Sequence, residues 1–359
     1  MVRMSDLVRG LGRDPATGAA EPPADRSTPG TPPAPPPPPR ARAAVDAPRP
    51  AAPPTREPAA TAAAENPSAL LGELQALLLE VRRVVREGGD FPWPRLQGLI
   101  DRAIASLDRS PDLFWVASEP AATPEGDYLA AHQARVAVMA LRIGANVGHD
   151  RGRLSVLGMA GCLIDVGLWQ MPETLLRRLD TLTGDELATY RSHPRLSADL
   201  VRRWAPPDGT IVQAVLEHHE REQGQGFPQG LTGVGVVADA KILGLADTYT
   251  GLTVPPPARP RLRPHEAVRE LVKSRNEAFP APLIKALLSE ISVFPPGTVV
   301  RLNTEEIGRV VGVNRNHPLR PRVEIVADAR GQRLPAPKTL DLSEAPFIYI
   351  TGPVTEAGR

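Results

Sequence analysis

A single cysteine, Cys162, stands in 359 residues, which excludes an intrachain disulfide framework and any cysteine-only metal site. Lysine is almost missing, with only Lys241, Lys273, Lys285 and Lys338 among 42 basic residues. Those 42 meet 41 acidic residues, and the net charge of +1 provides no broad field for duplex nucleic acid or an anionic membrane. No apolar run approaches the ~20 residues a membrane helix needs. The opening MVRMSDLVRGLGRDP lacks the apolar core of a secretory leader. These absences lead to the expectation of a soluble, cytoplasmic protein with no membrane or duplex partner.

What is abundant is arginine, proline, alanine and glycine. Proline alone numbers 42, a bias that a GC-rich coding genome can produce, so no single Arg or Pro cluster counts as a functional signal. The length, 38.5 kDa, calls for two or three folded units. Residues 1–66 contain no aromatic residue and carry the run TPPAPPPPPR. Such a segment cannot bury enough surface to offset the entropy of ordering, so it reads as a disordered tail, or else as a polyproline ligand.

Helical periodicity then begins. Leu70, Leu71, Leu74, Leu77, Leu78, Val81 and Val85 form one stripe, and Leu96, Leu99, Ile100, Ala103, Ile104 and Leu107 another, within a helical segment 67–126. From 127 to 290 the chain reads as helix after helix, with Thr183 and Glu186 as a capping box and His193-Pro194 ending that helix. The remainder, 291–359, carries short β-branched runs at Thr298–Leu302, Gly308–Val313, Arg322–Ala327 and Phe347–Ile350, a small antiparallel β unit. The expected fold is mainly α, with that β unit at its end.

Polar residues interrupt the apolar stripes of the central region. His132 sits among Leu129, Val136, Met139 and Ile143, and Asp165 among Leu154, Leu157, Gly161 and Leu168. Ile211, Ala214 and Val215 lead at helical spacing into His218 and His219, and Val236, Ala240 and Leu243 lead to Asp247. One buried histidine alone is as well explained by a hydrogen-bonded core. A buried carboxylate is costly unless it is paired or bound to a cation. With His193, the set is four histidines and two aspartates directed inward, economically explained by one shared metal site in a helical bundle. Imidazole with carboxylate suits iron, manganese or zinc.

The order of these pieces resembles the HD-GYP domain, a branch of the HD-type metal-dependent phosphohydrolases: His132, xDxG at Asp165, Leu182-Thr183 with Glu186 and His193-Pro194, HHEREQGQGFP from His218 to Pro228, and Ala246-Asp247. The tail PPGTVVRLNTEEIGRVVGVNRNHPLRP resembles the β unit that follows this domain in some members. The resemblance implies an all-helical fold with a two- or three-metal site, usually containing iron; for the ligands this chain retains, one or two divalent ions, iron or manganese, are expected. It also implies hydrolysis of a cyclic dinucleotide, chiefly cyclic di-GMP. By the same carry-over His132, Asp165, His193, His218, His219 and Asp247 are the metal ligands, and Asp165 bridges at the catalytic centre. Arg221, Gly226, Phe227 and Pro228 are then the substrate contacts.

The chain departs from the family pattern at several places. Ile164 replaces the histidine of the HD pair, Leu168 a lysine, Gln223 an aspartate and Phe227 a tyrosine. Tyr128 stands where members with a third metal carry a glutamate. Loss of the lysine, as a phosphate contact, is worth about 10²–10³ in rate. Six candidate ligands remain, so the expected activity is weakened. The alternative is a degenerate module that binds a nucleotide or a partner protein without turnover. A nucleic-acid surface on Arg309, Arg315, Arg320 and Arg322 ranks below both, and a homodimer through the helices at Leu70–Leu107 is a further expectation. His149-Asp150 reads as a loop pair outside the site, and His265 and His317 read as surface residues. Cys162 is a thiolate ligand or a small buried hydrophobe.

Overall fold

A computed structural model describes residues 65–119 and 128–354, apart from 177, 179, 180, 257, 258, 274–277, 292, 295, 315, 316 and 318. The tail expected to remain unfolded therefore lies outside the described residues as far as residue 64, as does Arg315. All described residues fall in one compact unit.

Helix α1, Pro67–Glu87, starts where Asn66 accepts hydrogen bonds from the Ser68 and Ala69 amides at 3.0 and 3.1 Å, with proline in the first turn. Helix α2 spans Trp93–Arg109 and α3 Asp112–Ser118. The two leucine-rich stripes are buried in the same apolar core as the next two helices, α4 (Tyr128–Asn146) and α5 (Arg151–Gly161). The stripes are thus covered within the chain. Fourteen of the 19 residues of α4 are buried, so this helix runs through the centre and takes His132, Gln133 and Arg135 into the interior with it.

Arg151–Gln170 is long and apolar enough to cross a membrane by composition, contrary to the sequence expectation. Its window is 83% buried inside the protein, so that apolarity belongs to the core.

A short 3-10 helix, Val166–Gln170, leads to α6 (Glu173–Leu176) and α7 (Gly184–Arg191). The Thr183–Glu186 capping box is formed as expected. His193 does not close that helix; it is the first residue of α8, His193–Arg203, where Pro194 is tolerated because no upstream carbonyl needs its amide. Helices α9 (Thr210–Glu217), α10 (Ala238–Thr253), α11 (Pro264–Lys273) and α12 (Ala281–Glu290) complete the bundle.

Five antiparallel strands follow: β1 Val299–Leu302, β2 Ile307–Gly312, β3 Arg322–Ala327, β4 Arg333–Asp341 and β5 Ile350–Pro353, in the order β4-β3-β2-β1-β5. Val300, Leu302, Val310, Val323 and Ile325 form the buried face. Two differences from the sequence reading stand out. Strand β4 escaped it because RLPAPKTLD carries two prolines and no buried alternation, features an edge strand tolerates. Strand β5 begins three residues later than the predicted run, at Ile350, and leaves Phe347 87% exposed.

Two histidines are likewise less exposed than expected. His149 places Nε2 2.8 Å from Asp239 Oδ1, while Asp150 caps α5 by accepting from the Arg153 amide. His265 stacks on Phe294, whereas His317 is exposed.

Candidate metal centre

The polar residues of the site come from five places in the chain. Asp165 occupies the turn between α5 and the 3-10 helix, not a helical stripe. Its position depends on Gly167, where a Cβ would come within 2.8 Å of His193 O and 2.7 Å of the Ser197 amide nitrogen. Without a side chain there, the turn docks on α8, and the Gly167 amide donates to Ser197 Oγ at 2.9 Å. Asp165 Oδ1 then lies 3.2 Å from His193 Nε2 and 3.8 Å from His218 Nε2. His218 follows the last residue of α9, and His219 stacks on Phe227 with centroids 4.5 Å apart. Across the cleft, His132 Nε2 lies 2.9 Å from Asp247 Oδ1, joining α4 to α10.

Two sets of potential ligand atoms result, each within a 4.8 Å sphere of mutual distance. Asp165, His193, His218 and His219 form one; His132, Asp165 and Asp247 form the other. Asp165 is common to both.

The protonation pattern fits divalent cations. His193 Nδ1 donates to Tyr190 O at 2.8 Å and His218 Nδ1 to Val215 O at 2.7 Å. Each ring, when neutral, therefore turns the lone pair of Nε2 inward. His218 Nε2 is buried and has no hydrogen-bond partner. Burial lowers the His218 pKa to about 4 against the opposing pull of Asp165. Burial, followed by the neighbouring His218, His193 and Arg221, holds His219 well below its ordinary value. Burial alone would raise Asp165, but the His193 hydrogen bond and the surrounding imidazoles bring it to about 2. An ionised carboxylate beside imidazoles that burial keeps from protonating at His218 and His219 is a donor set suited to Fe, Mn or Zn.

An open cleft of about 90 Å³ borders these residues, lined by His132, Asp165, His219 and Asp247 with the rings of Tyr128, Tyr190 and Phe227. Leu168, Arg221, Thr248 and Arg259 complete the polar and apolar walls. Of the four expected substrate contacts, Arg221 and Phe227 line the cleft and Gly226 and Pro228 do not. Gly226 does not line the cleft; a Cβ there would strike His219 O and Glu220 Cα, so its glycine serves close backbone packing. Pro228 is also absent from the lining, on the far side of the cis Phe227–Pro228 bond. Arg221 reaches the cleft, but its Nη1 donates to His218 O at 2.9 Å and Glu220 O at 2.8 Å, and its guanidinium lies over Phe279.

Ile164 is fully buried in the main core, and Leu168 joins a second apolar cluster with Met171, Leu175 and Leu182. Cys162 is also wholly buried, and burial pushes its thiol up to about 12, so it is a core hydrophobe and not a thiolate ligand. Two acidic residues escaped sequence reasoning. Glu217 accepts from the Val237 amide at 2.8 Å, and Glu220 from the Gln229 and Leu231 amides at 2.7 and 2.9 Å. Both pin the loop that carries Phe227. Their only signal was adjacency to the histidine pair.

Comparison with known proteins agrees with this geometry. Residues 119–281 match the family described as HD domain, and residues 299–358 match a KOW domain associated with HD domain. A cyclic di-GMP phosphodiesterase of Pseudomonas aeruginosa is 25% identical over 277 residues, 77% of this chain and 66% of that protein. The cyclic di-GMP phosphodiesterase PdeB of Borreliella burgdorferi is 22% identical over 56% of this chain and 52% of its own length. The chain thus spans between half and two thirds of these two curated relatives. A solved HDG"Y"P protein of Bdellovibrio bacteriovorus shares the fold, with a TM-score of 0.53 and 18% identity over 63% of this chain and 73% of that one. Residues 119–281, the central helices that gather Asp165 and four histidines, are thus similar to the HD domain, and their fold is that of the Bdellovibrio protein.

Proposed function

We propose that this chain is a metal-dependent phosphodiesterase acting on a cyclic dinucleotide, cyclic di-GMP first, with activity weakened by the residues at 164 and 168. The observation that carries the reading is the sharing of Asp165 between two ligand sets. In this assignment Asp165, His193, His218 and His219 hold one divalent cation, and His132, Asp165 and Asp247 hold a second. Iron or manganese suits the donors. When bound, such cations supply a water of lowered pKa and neutralise charge on the phosphodiester oxygens.

The protein's own groups do the remaining work. The rings of Tyr128, Tyr190 and Phe227 offer faces to a nucleobase, and Arg259 brings a guanidinium to the cleft wall. Leu168 offers no charge to a phosphate. The substrate class is supported by relatives named for cyclic di-GMP and, in Vibrio cholerae, for 3'3'-cGAMP.

A second reading, binding without turnover, is favoured by the apolar packing of Ile164 and Leu168. One experiment divides them. The purified chain is assayed for transition metal and, in parallel, for conversion of cyclic di-GMP to linear product. Stoichiometric iron or manganese with slow conversion supports the phosphodiesterase; metal without conversion supports the binding module; absence of metal uptake overturns the cation centre.

A further inference from the structure

We infer that Tyr128 is a positioning residue for the cation centre, whose hydroxyl holds the His132 ring with Nε2 turned to Asp247 and the cleft. The need for such a residue follows from where the histidines sit. His193 and His218 lie at helix termini, where spare backbone carbonyls at Tyr190 and Val215 take their Nδ1 protons. His132 lies inside α4, where the upstream carbonyls are engaged by the helix itself.

Its Nδ1 faces the Tyr128 hydroxyl oxygen instead, at 3.4 Å, across rings stacked at 5.5 Å and 23°. Tyr128 and His132 are four residues apart on one helix face, so the contact is built into the α-helical repeat. The Tyr128 hydroxyl donates its own proton to Val254 O at 3.2 Å. That leaves the phenolic oxygen lone pair to accept from His132 Nδ1–H. His132 Nε2 lies 2.9 Å from Asp247 Oδ1, a contact bridged by a proton that a bound cation would replace. Val254 caps α10, and Asp247 lies within the same helix. The relay thus leaves α10 at Val254, crosses α4 through two side chains, and returns to α10 at Asp247. A cation placed between His132 and Asp247 would be held by a ring already fixed in tautomer and direction.

Loss of a hydrogen-bond partner behind a metal-ligating histidine typically costs about 10–100-fold in metal affinity. The inference rests on the cation-centre reading, and the test keeps the two apart. Mn²⁺ is titrated calorimetrically into the metal-stripped full chain, wild type and Tyr128→Phe, with a thermal melt as the folding control. Wild type is expected to take up two ions, and Tyr128→Phe to bind one of them about 10–100-fold more weakly while the other is unchanged. In the Zn²⁺-loaded wild type, ¹⁵N shifts are expected to show His132 protonated at Nδ1 and ligating through Nε2, a readout that needs no variant. Wild type that binds no Mn²⁺ defeats the cation centre itself. Wild type that binds while Tyr128→Phe matches it, or a His132 that ligates through Nδ1, defeats the role of Tyr128 alone.

Discussion

The Nε2 atoms of His193 and His219 lie 3.1 Å apart, with their rings nearly perpendicular at 87°. His193 has already given its Nδ1 proton to Tyr190 O, and burial keeps His219 from taking a charge. Two ring nitrogens held that close, with Asp165 beside them, are accommodated by a shared proton or a shared cation. The fold brings His193 and His219 together across 26 residues of chain by docking α9 on α8.

Replacing the shared carboxylate gives the sharpest expectation. Asp165→Asn removes the one oxygen donor common to both ligand sets, so metal content should fall at both positions. The drop should exceed the ~10–100-fold that loss of a supporting hydrogen bond costs. Elemental analysis of the purified variant, beside circular dichroism to show retained helix, checks this. A variant retaining one full equivalent of metal would assign Asp165 to a single ion.

Arg221 is expected to act on the site through the backbone. Arg221→Met keeps bulk but removes the donors to His218 O and Glu220 O, leaving buried carbonyls short of partners at about 1–3 kcal/mol. Metal affinity and the unfolding midpoint should fall together, while KM for cyclic di-GMP at saturating metal should change little. A raised KM with unchanged metal affinity would return Arg221 to the role of substrate contact.

The two apolar replacements are expected to differ in consequence. Leu168 lines the cleft, so in Leu168→Lys the ammonium can reach solvent while its stem stays in the cluster with Met171 and Leu175. Turnover should rise, by up to about 10²–10³ if the lysine meets the phosphate. Ile164 is fully buried in the core and does not line the cleft, so Ile164→His should raise metal content only at a larger loss of stability. Initial rates, metal content and denaturant midpoints, measured on both single variants and the double, separate these effects.

Stability should depend on α1 as much as on the catalytic helices. Leu74 is fully buried in the core shared with α4, and Leu74→Ala should cost about 2–5 kcal/mol in denaturant unfolding. Phe347 is 87% exposed, and Phe347→Ala should fall within about 0.5 kcal/mol of wild type. A small loss at Leu74 would mean that α1 is not part of the cooperative unit.

Much of the architecture was legible from periodicity, because burial on one face of a helix repeats every few residues along the chain. The stripes at Leu70–Val81 and Leu96–Leu107, the Thr183–Glu186 capping box and three of the five strands needed no tertiary information. Strand β4 stayed hidden because an edge strand has no second neighbour to demand alternation, and its prolines argued against it.

Within the site, sequence by itself determined which polar residues stand beside apolar runs, and so marked the six candidate ligands. Only the tertiary structure decided how they pair. That Asp165 stands between two sets depends on the close approach of Gly167 to α8. That Arg221 spends its donors on the histidine turn depends on Phe279 and α10 closing over it. That Tyr128 faces both His132 and Val254 depends on the distance between α4 and α10. The physical reason is the same in each case. Amphipathic spacing is a property of neighbouring residues, whereas the direction of a hydrogen bond across two helices is set by how their backbones approach.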